Sequence, residues 1–387
     1  MWRWIGGIVL ALLLVAAGVL YAAPGIVESN LNQVVKHAPY PISAEARALH
    51  ATLNMADLHS DTLLWGRDVL VRGTAGHVDV PRLQEGRFAL QVFSAVTKSP
   101  KGQNYTRTTA DSDQISLLVK VQLWPMRTWD SLLERALYQA EKLRDAAARD
   151  PKALMIIRTR GDLAALIARR ANGESVVGGL LSIEGAHALE GDLSNLKRLS
   201  DAGFRMIGLL HFFDNELGGS LHGVSHKGLT PFGVQAVHAI EEAGLIIDVA
   251  HASPAVVDDV LMIATRPFVI SHTGVRGACD SPRNLSDEQM LAIAAKGGLI
   301  GIGYWDGAVC DITPAGVVKS LRYAIDLVGA DHVALGSDYD GTTTVAFDAS
   351  ESAALIDVML KAKFTEAEIR KVSGENVLRL FSTLLPE

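Results

Sequence analysis

Leu245-Ile-Ile-Asp-Val-Ala-His251 and Phe268-Val-Ile-Ser-His272 are short apolar runs that each stop at a histidine, the two histidines 21 residues apart. Six further runs repeat the pattern. They are Met55–Leu58 before His59, Leu90–Phe93 before Ser94, Gly179–Ile183 before Glu184, Met206–Leu210 before His211, Leu299–Gly303 before Tyr304 and His332–Ser337 before Asp338. Apolar runs of this length, rich in β-branched residues, read as strands buried on both faces, which is how parallel strands read. Helical spacing fills the gaps. It is clearest over Ile115–Ala148, Asp162–Arg170, Leu193–Ala202, Pro231–Ala243, Pro254–Ile263, Asp287–Lys296, Ala315–Val328 and Ser350–Lys361, with a closing helical segment from Thr365. Alternation of this kind predicts an α/β chain folded as a (β/α)8 TIM-like barrel, in which active-site groups sit at the C-terminal strand ends.

The polar residues at those ends carry the chemistry. His59 and Asp61 are two residues apart, so along a strand they share a face and can reach one ion. Glu184 closes an apolar strand, where a carboxylate is unfavourable unless paired or bound to metal. Its two oxygens suit a bridge between two ions. His251 and His272 end consecutive strands at one level. Any one such histidine is more often a satisfied structural residue. Four histidines and two carboxylates at corresponding ends, spread from residue 59 to residue 338, point instead to a binuclear metal centre. Asp338, at the end of the eighth strand, is placed to shuttle a proton; the plainer reading is an acid capping a turn with Asp340-Gly341. His187, His222 and His226 have the spacing to line the mouth, and the remaining histidines fall in loops, a helix or a strand start.

Composition sets the limits around this core. The chain has 387 residues, 49% hydrophobic and 20% charged, with a net charge of −7. That suits one large folded unit and excludes a general nucleic-acid binder. The run Ile5–Ala23 is 19 apolar residues long, enough to span a hydrocarbon core of about 30 Å. Tyr21-Ala22-Ala23 would put a large ring three residues before a cleavage point, so an uncleaved transmembrane helix is favoured over a cleaved signal peptide. Trp2, Trp4 and Tyr21 suit its two interfaces, and Arg3 gives a weak bias placing the body outside the cytoplasm, periplasmic or extracellular. The expected organisation is an anchor over residues 1–23, a stalk over 24–45 and a barrel over 46–387. Cys279 and Cys310 are the two cysteines. They read as buried thiols, or as a disulfide if the body is exported, and spacing does not choose between these.

The ordered motifs resemble a known family. They are Asp57-Leu-His-Ser-Asp61, His77-Val-Asp-Val-Pro-Arg-Leu83, Ser182-Ile-Glu-Gly185, Gly208-Leu-Leu-His211, Gly228-Leu-Thr-Pro-Phe-Gly233, Ile247-Asp-Val-Ala-His-Ala-Ser253, Ile270-Ser-His-Thr273, Pro282-Arg-Asn-Leu-Ser-Asp287 and Gly336-Ser-Asp-Tyr-Asp-Gly341. From about Ala56 to Phe381 the chain closely resembles the renal or membrane dipeptidase family, a branch of the amidohydrolase-like barrels. The resemblance implies two zinc ions per chain, with His59 and Asp61 on one, His251 and His272 on the other, and Glu184 bridging. It implies His211 as a substrate contact that polarises the oxyanion, Arg283 as the grip on the substrate carboxylate, and Asp338 as the proton carrier. It also implies a Cys279–Cys310 disulfide. Ser60 and Thr62 replace the family's usual Asn and Leu, the seventh strand ends in Gly303-Tyr-Trp305, and the loop from Phe212 to Ser220 differs, so side-chain preference is open.

The expected activity is hydrolysis of dipeptides, including those with a C-terminal D-residue. The expected partners are a small dipeptide, the membrane through the N-terminal helix and, as an option, a second copy of the chain. The alternative is a barrel amidase or lactonase acting on a non-peptide, which would not need Arg283. A tethered binding protein without catalysis is disfavoured by the complete ligand set.

Overall fold

The computed structural model describes Gly18 and residues 22–387. Eight parallel strands form the barrel: β1 (Met55–Ser60), β2 (Phe88–Val96), β3 (Val177–Glu184), β4 (Phe204–Gly208), β5 (Ile246–Asp248), β6 (Val269–Thr273), β7 (Leu299–Ile302) and β8 (Val333–Leu335). Neighbours pair in parallel from β1 round to β8. Leu335 of β8 is level with Asp57 of β1, and β2 closes against β3 from Leu90↔Gly178 to Val96↔Glu184. A ninth short strand, Leu154–Ile156, adds to the outside of β3. All eight barrel strands fall on the runs read from sequence. The ninth escaped notice because three residues carry no periodic signal.

Adjacent residues of each strand point to opposite sides, and the core divides accordingly. Ile207, Ile247, Ile270, Ile300 and Leu335 belong to the large cluster that includes the surrounding helices. Their neighbours Met206, Ile246, Val269, Leu299 and Ala334 join a second cluster with Leu380, Phe381 and Leu384 of the closing helix Asn376–Leu384. Helix starts follow from capping. Thr230, Ser253 and Thr313 each accept a backbone N–H with their side chains and are followed by Pro231, Pro254 and Pro314, a pairing that fixes the first turn. The expected helix over Ile115–Ala148 is two helices, Ile115–Val121 and Leu132–Arg149. Leu123 in a left-handed conformation and Pro125 break it, and Ser131 caps the restart.

The apolar run Ile5–Ala23, expected to cross a membrane, lies outside the described residues apart from Gly18, Ala22 and Ala23. Among the described residues no helix is long and apolar enough to do so. The residues read as a stalk meet the barrel. Residues 22–31 are helical, Gln33–Val34 pairs with Thr344–Val345, and the Tyr40 hydroxyl donates to the Ala346 carbonyl at 2.8 Å. Cys279 and Cys310 form a disulfide, with Cα atoms 5.5 Å apart.

Candidate metal centre and substrate cavity

Seven side chains from six strand ends converge. His59 and His272 lie within β1 and β6, Glu184 is the last residue of β3, and Asp61, His211, His251 and Asp338 follow their strands by one to three residues. Glu184 is the hub. Its Oε1 is 3.0 Å from His251 Nε2, 3.5 Å from His272 Nε2 and 3.6 Å from His59 Nε2, and its Oε2 is 3.5 Å from His211 Nε2. His59 Nε2 is also 3.3 Å from Asp61 and 4.0 Å from Asp338. Among the described residues the donor atoms fall into three metal-competent groups: His59, Glu184 and His272; Glu184, His211 and His251; and His59, Asp61 and Asp338. The five residues expected as ligands, His59, Asp61, Glu184, His251 and His272, all fall in these groups. The geometry adds that His211 and Asp338, expected to touch substrate and move protons, also stand within ligand distance.

The donor set fits divalent metal on two further grounds. Buried His59 Nε2, Asp61 Oδ1 and Glu184 Oε2 have no hydrogen-bond partner, and such orphaned groups are costly. Burial also works against charge here. It holds Asp61 and Glu184 well above the usual carboxylate range, helped by the Asp340 and Asp61 charges respectively, and it lowers His251 and His272 well below theirs, with Arg283 adding to the effect. Neutral imidazoles are what ligation requires, and a dication offsets crowded carboxylates.

A second layer aims these groups. Ser271 Oγ lies 3.3 Å from His59 Nδ1 and 2.9 Å from His272 Nδ1. One hydroxyl oxygen has two lone pairs, so it can accept from both rings, and in that arrangement both Nε2 atoms are bare toward Glu184. Ser271 is itself tightly enclosed. A Cβ on Gly301 or Gly336 would lie 2.1 or 1.9 Å from its carbonyl oxygen, so only glycine lets those strands approach. Asp57 accepts from Gln91 at 2.8 Å and from Ser337 N and Oγ at 2.7 Å, tying β1 to the segment before Asp338. His251 (φ 61) and Asp338 (φ 59) adopt left-handed backbone. Non-glycine residues do so rarely, and functional sites are where this collects.

Beside the metal groups opens a cavity of about 520 Å³, lined by Tyr105, Phe212, His251, Arg283, Trp305 and Asp338 among others. Arg283 is buried. Its guanidinium donates to the His272 carbonyl at 2.8 Å and lies 5.4 Å from the Trp305 ring centre. It forms no ion pair among the described residues, so its charge is available to an anion entering the cavity. Asp338 lines both this cavity and the metal groups, and burial pushes its carboxyl up to about 8. His211 Nδ1 donates to the Lys98 carbonyl at 3.2 Å, and burial lowers this ring to about 3. A neutral ring in that tautomer offers a bare Nε2 to the pocket.

Sequence reasoning missed Tyr105 and the way Phe212, His222 and Trp305 join it in an aromatic wall. Trp305 Nε1 donates to the Tyr105 hydroxyl at 2.8 Å, and Tyr105 and Phe212 each pack on the His222 ring. His222 in turn meets His251 edge-on at 5.4 Å. Gly303-Tyr-Trp305 was noticed, but Tyr304 turns into the core against Tyr339 and Phe347 while Trp305 faces the cavity. His187 is buried, bonded to Thr97 at 3.0 Å, and His226 is exposed.

Comparison with known proteins bears on the fold and the family. A Klebsiella pneumoniae protein described as "Uncharacterized protein in pqqA 5'region" is 30% identical over 242 residues, 59% of this chain and 89% of its own length. A solved metallopeptidase, dipeptidase AC, has 25% identity and a TM-score of 0.69, over 87% of this chain and 100% of its own. A Rhodobacter sphaeroides metallopeptidase, liganded with a phosphinate mimic of L-Ala-D-Ala, shares the fold at 24% identity and a TM-score of 0.69, covering 86% and 99%. Residues 43–384 match the family described as membrane dipeptidase, peptidase family M19, and the chain belongs to that family of metal-dependent dipeptide hydrolases.

Proposed function

We propose that the protein hydrolyses dipeptides using two zinc ions per chain, and that it accepts a D-residue at the C-terminal position. The observation that carries this reading is Glu184, one carboxylate with four histidine nitrogens at 3.0–3.6 Å, beside a cavity containing a buried arginine that has no ion-pair partner among the described residues. His59, Asp61, Glu184, His251 and His272 would hold the metals. When bound, the metals supply the charge that acidifies a water and polarises the scissile carbonyl. Arg283 fixes the substrate through its free α-carboxylate with charge-assisted hydrogen bonds. Asp338, between cavity and metal groups, takes the proton released by the nucleophile and returns it to the leaving amine. His211 would stand beside the reacting carbonyl and donate to the developing oxyanion from Nε2 once the ring's proton is moved there from the Nδ1–H that bonds Lys98. The phosphinate mimic held by the Rhodobacter sphaeroides relative supports the dipeptide class and the D-residue.

The decisive assay is hydrolysis of a panel of L,L- and L,D-dipeptides and their C-terminal amides. Free acids should be cleaved and amides should be poor substrates, because Arg283 has nothing to grip. Arg283→Ala should lower kcat/KM for the acids by about 10–100-fold, the loss of one charge-assisted bond of roughly 1.5–3 kcal/mol, and change the amide rate little. Amides cleaved as well as acids would favour the barrel amidase or lactonase reading.

The run Ile5–Ala23 is proposed to anchor the chain, with the barrel on the periplasmic or extracellular side and a homodimer compatible with that placement. The apolar length supports the anchor. Release of the protein from membranes by high salt alone would refute it.

A further inference from the structure

The loop after β8 carries Asp338 and three residues that line the substrate cavity, Thr342, Thr343 and Thr344. Its backbone is strained at alternate positions: Asp338, Asp340 and Thr342 all have φ near +60°. Such conformations persist only where the surroundings hold them. Part of the holding comes from the connection after β1, where the Thr62 hydroxyl donates to Asp340 at 2.7 Å and the His77 N–H donates to it at 2.6 Å. More comes from the segment between the apolar N-terminal run and the barrel. Asn32, buried, accepts the Thr342 N–H at 2.8 Å through Oδ1. Gln33 N–H donates to the Thr343 carbonyl at 3.2 Å and Val35 N–H to the Val345 carbonyl at 2.8 Å. Glu28, buried, accepts from Arg67 at 2.6 Å, and the same guanidinium pairs with Asp340.

We propose that the segment from Glu28 to Val34 is a strap for the active site, with Asn32 as a positioning residue for the Asp338 loop. The N-terminal connection then braces the loop that lines the cavity and is not a spacer. The proposal rests on the dipeptidase reading for its kinetic arm only.

The test uses the full-length protein in detergent with metal loaded. Hydrogen exchange should show the Thr342 amide protected like the barrel core. In Asn32→Ala, exchange over residues 338–345 should accelerate. The kcat for a cleaved dipeptide should fall by about tenfold, the effect of one lost buried hydrogen bond, with KM within about twofold and metal content unchanged. Asn32→Asp keeps an acceptor oxygen and should restore both exchange and kcat. The strap is overturned if the parent Thr342 amide exchanges freely, if Asn32→Ala leaves loop exchange unaltered, or if Asn32→Asp behaves like Asn32→Ala. Should the parent cleave no dipeptide, the functional reading fails while the exchange measurements still decide the strap.

Discussion

Glu184, at the floor of the site, has four histidine nitrogens within 3.0–3.6 Å, all carried in or just beyond barrel strands. Tyr105 and Trp305, in the wall above, come from loops 200 residues apart and meet through one 2.8 Å hydrogen bond. The floor is positioned by backbone pairing: the β2–β3 ladder places Glu184 level with Val96, and β7–β8 runs in register for three pairs. The wall is positioned by side-chain contacts between loops. A barrel can therefore keep one set of metal ligands while the loops above vary what is admitted. In this chain the departures from the usual family motifs at Phe212–Ser220 and Gly303–Trp305 lie in or beside the wall.

If the floor is one coupled unit, losing its hub should abolish function. Glu184→Ala should lose both metals together and reduce dipeptide hydrolysis to background, because Glu184 belongs to two of the three metal-competent groups. Elemental analysis of the purified variant checks this. One metal retained at full occupancy would mean that the groups are independent and that Glu184 is not shared.

Asp338 tests where floor ends and wall begins, since it borders both. Asp338→Asn should lower kcat by about 10²–10⁴-fold, the usual weight of a general acid–base group, while metal content and KM persist. Its carboxylate nevertheless stands in a group with His59 and Asp61. Metal lost along with activity would reassign Asp338 to the floor as a ligand.

The floor was readable in the sequence and the wall was not, for a physical reason. A ligand at a strand end is a polar residue terminating an apolar run, so Glu184 and His272 announce themselves locally. Glu184 also had to be explained, because a carboxylate there is unfavourable alone. The eight strands were legible for the same reason. Tyr105, in contrast, sits in a loop between β2 and the helix Ile115–Val121, where an aromatic residue is unremarkable. Only the closed fold brings it to Trp305. The same holds for Thr62 and Asp340, bonded across 278 positions of sequence, and for Asn32, whose role depends on the partner at Thr342. The disulfide was left open by spacing and came only with the family resemblance.

The smallest effect should come from the wall itself. Tyr105→Phe removes the hydroxyl that accepts from Trp305 Nε1 but keeps the ring that packs on Phe212 and His222. Trp305 also carries the face against which Arg283 rests. A freed indole should therefore loosen the carboxylate grip and leave the metal groups alone. One neutral hydrogen bond is worth about 0.5–1.5 kcal/mol, so KM for dipeptides should rise by roughly two- to tenfold with kcat and metal content unchanged. A shift in the ratio of L,D- to L,L-dipeptide hydrolysis would place side-chain selection in the wall, where Tyr105 and Trp305 line the cavity. A Tyr105→Phe enzyme with altered kcat and unaltered KM would show that the two regions are mechanically joined, and the division between chemistry below and selection above would fail.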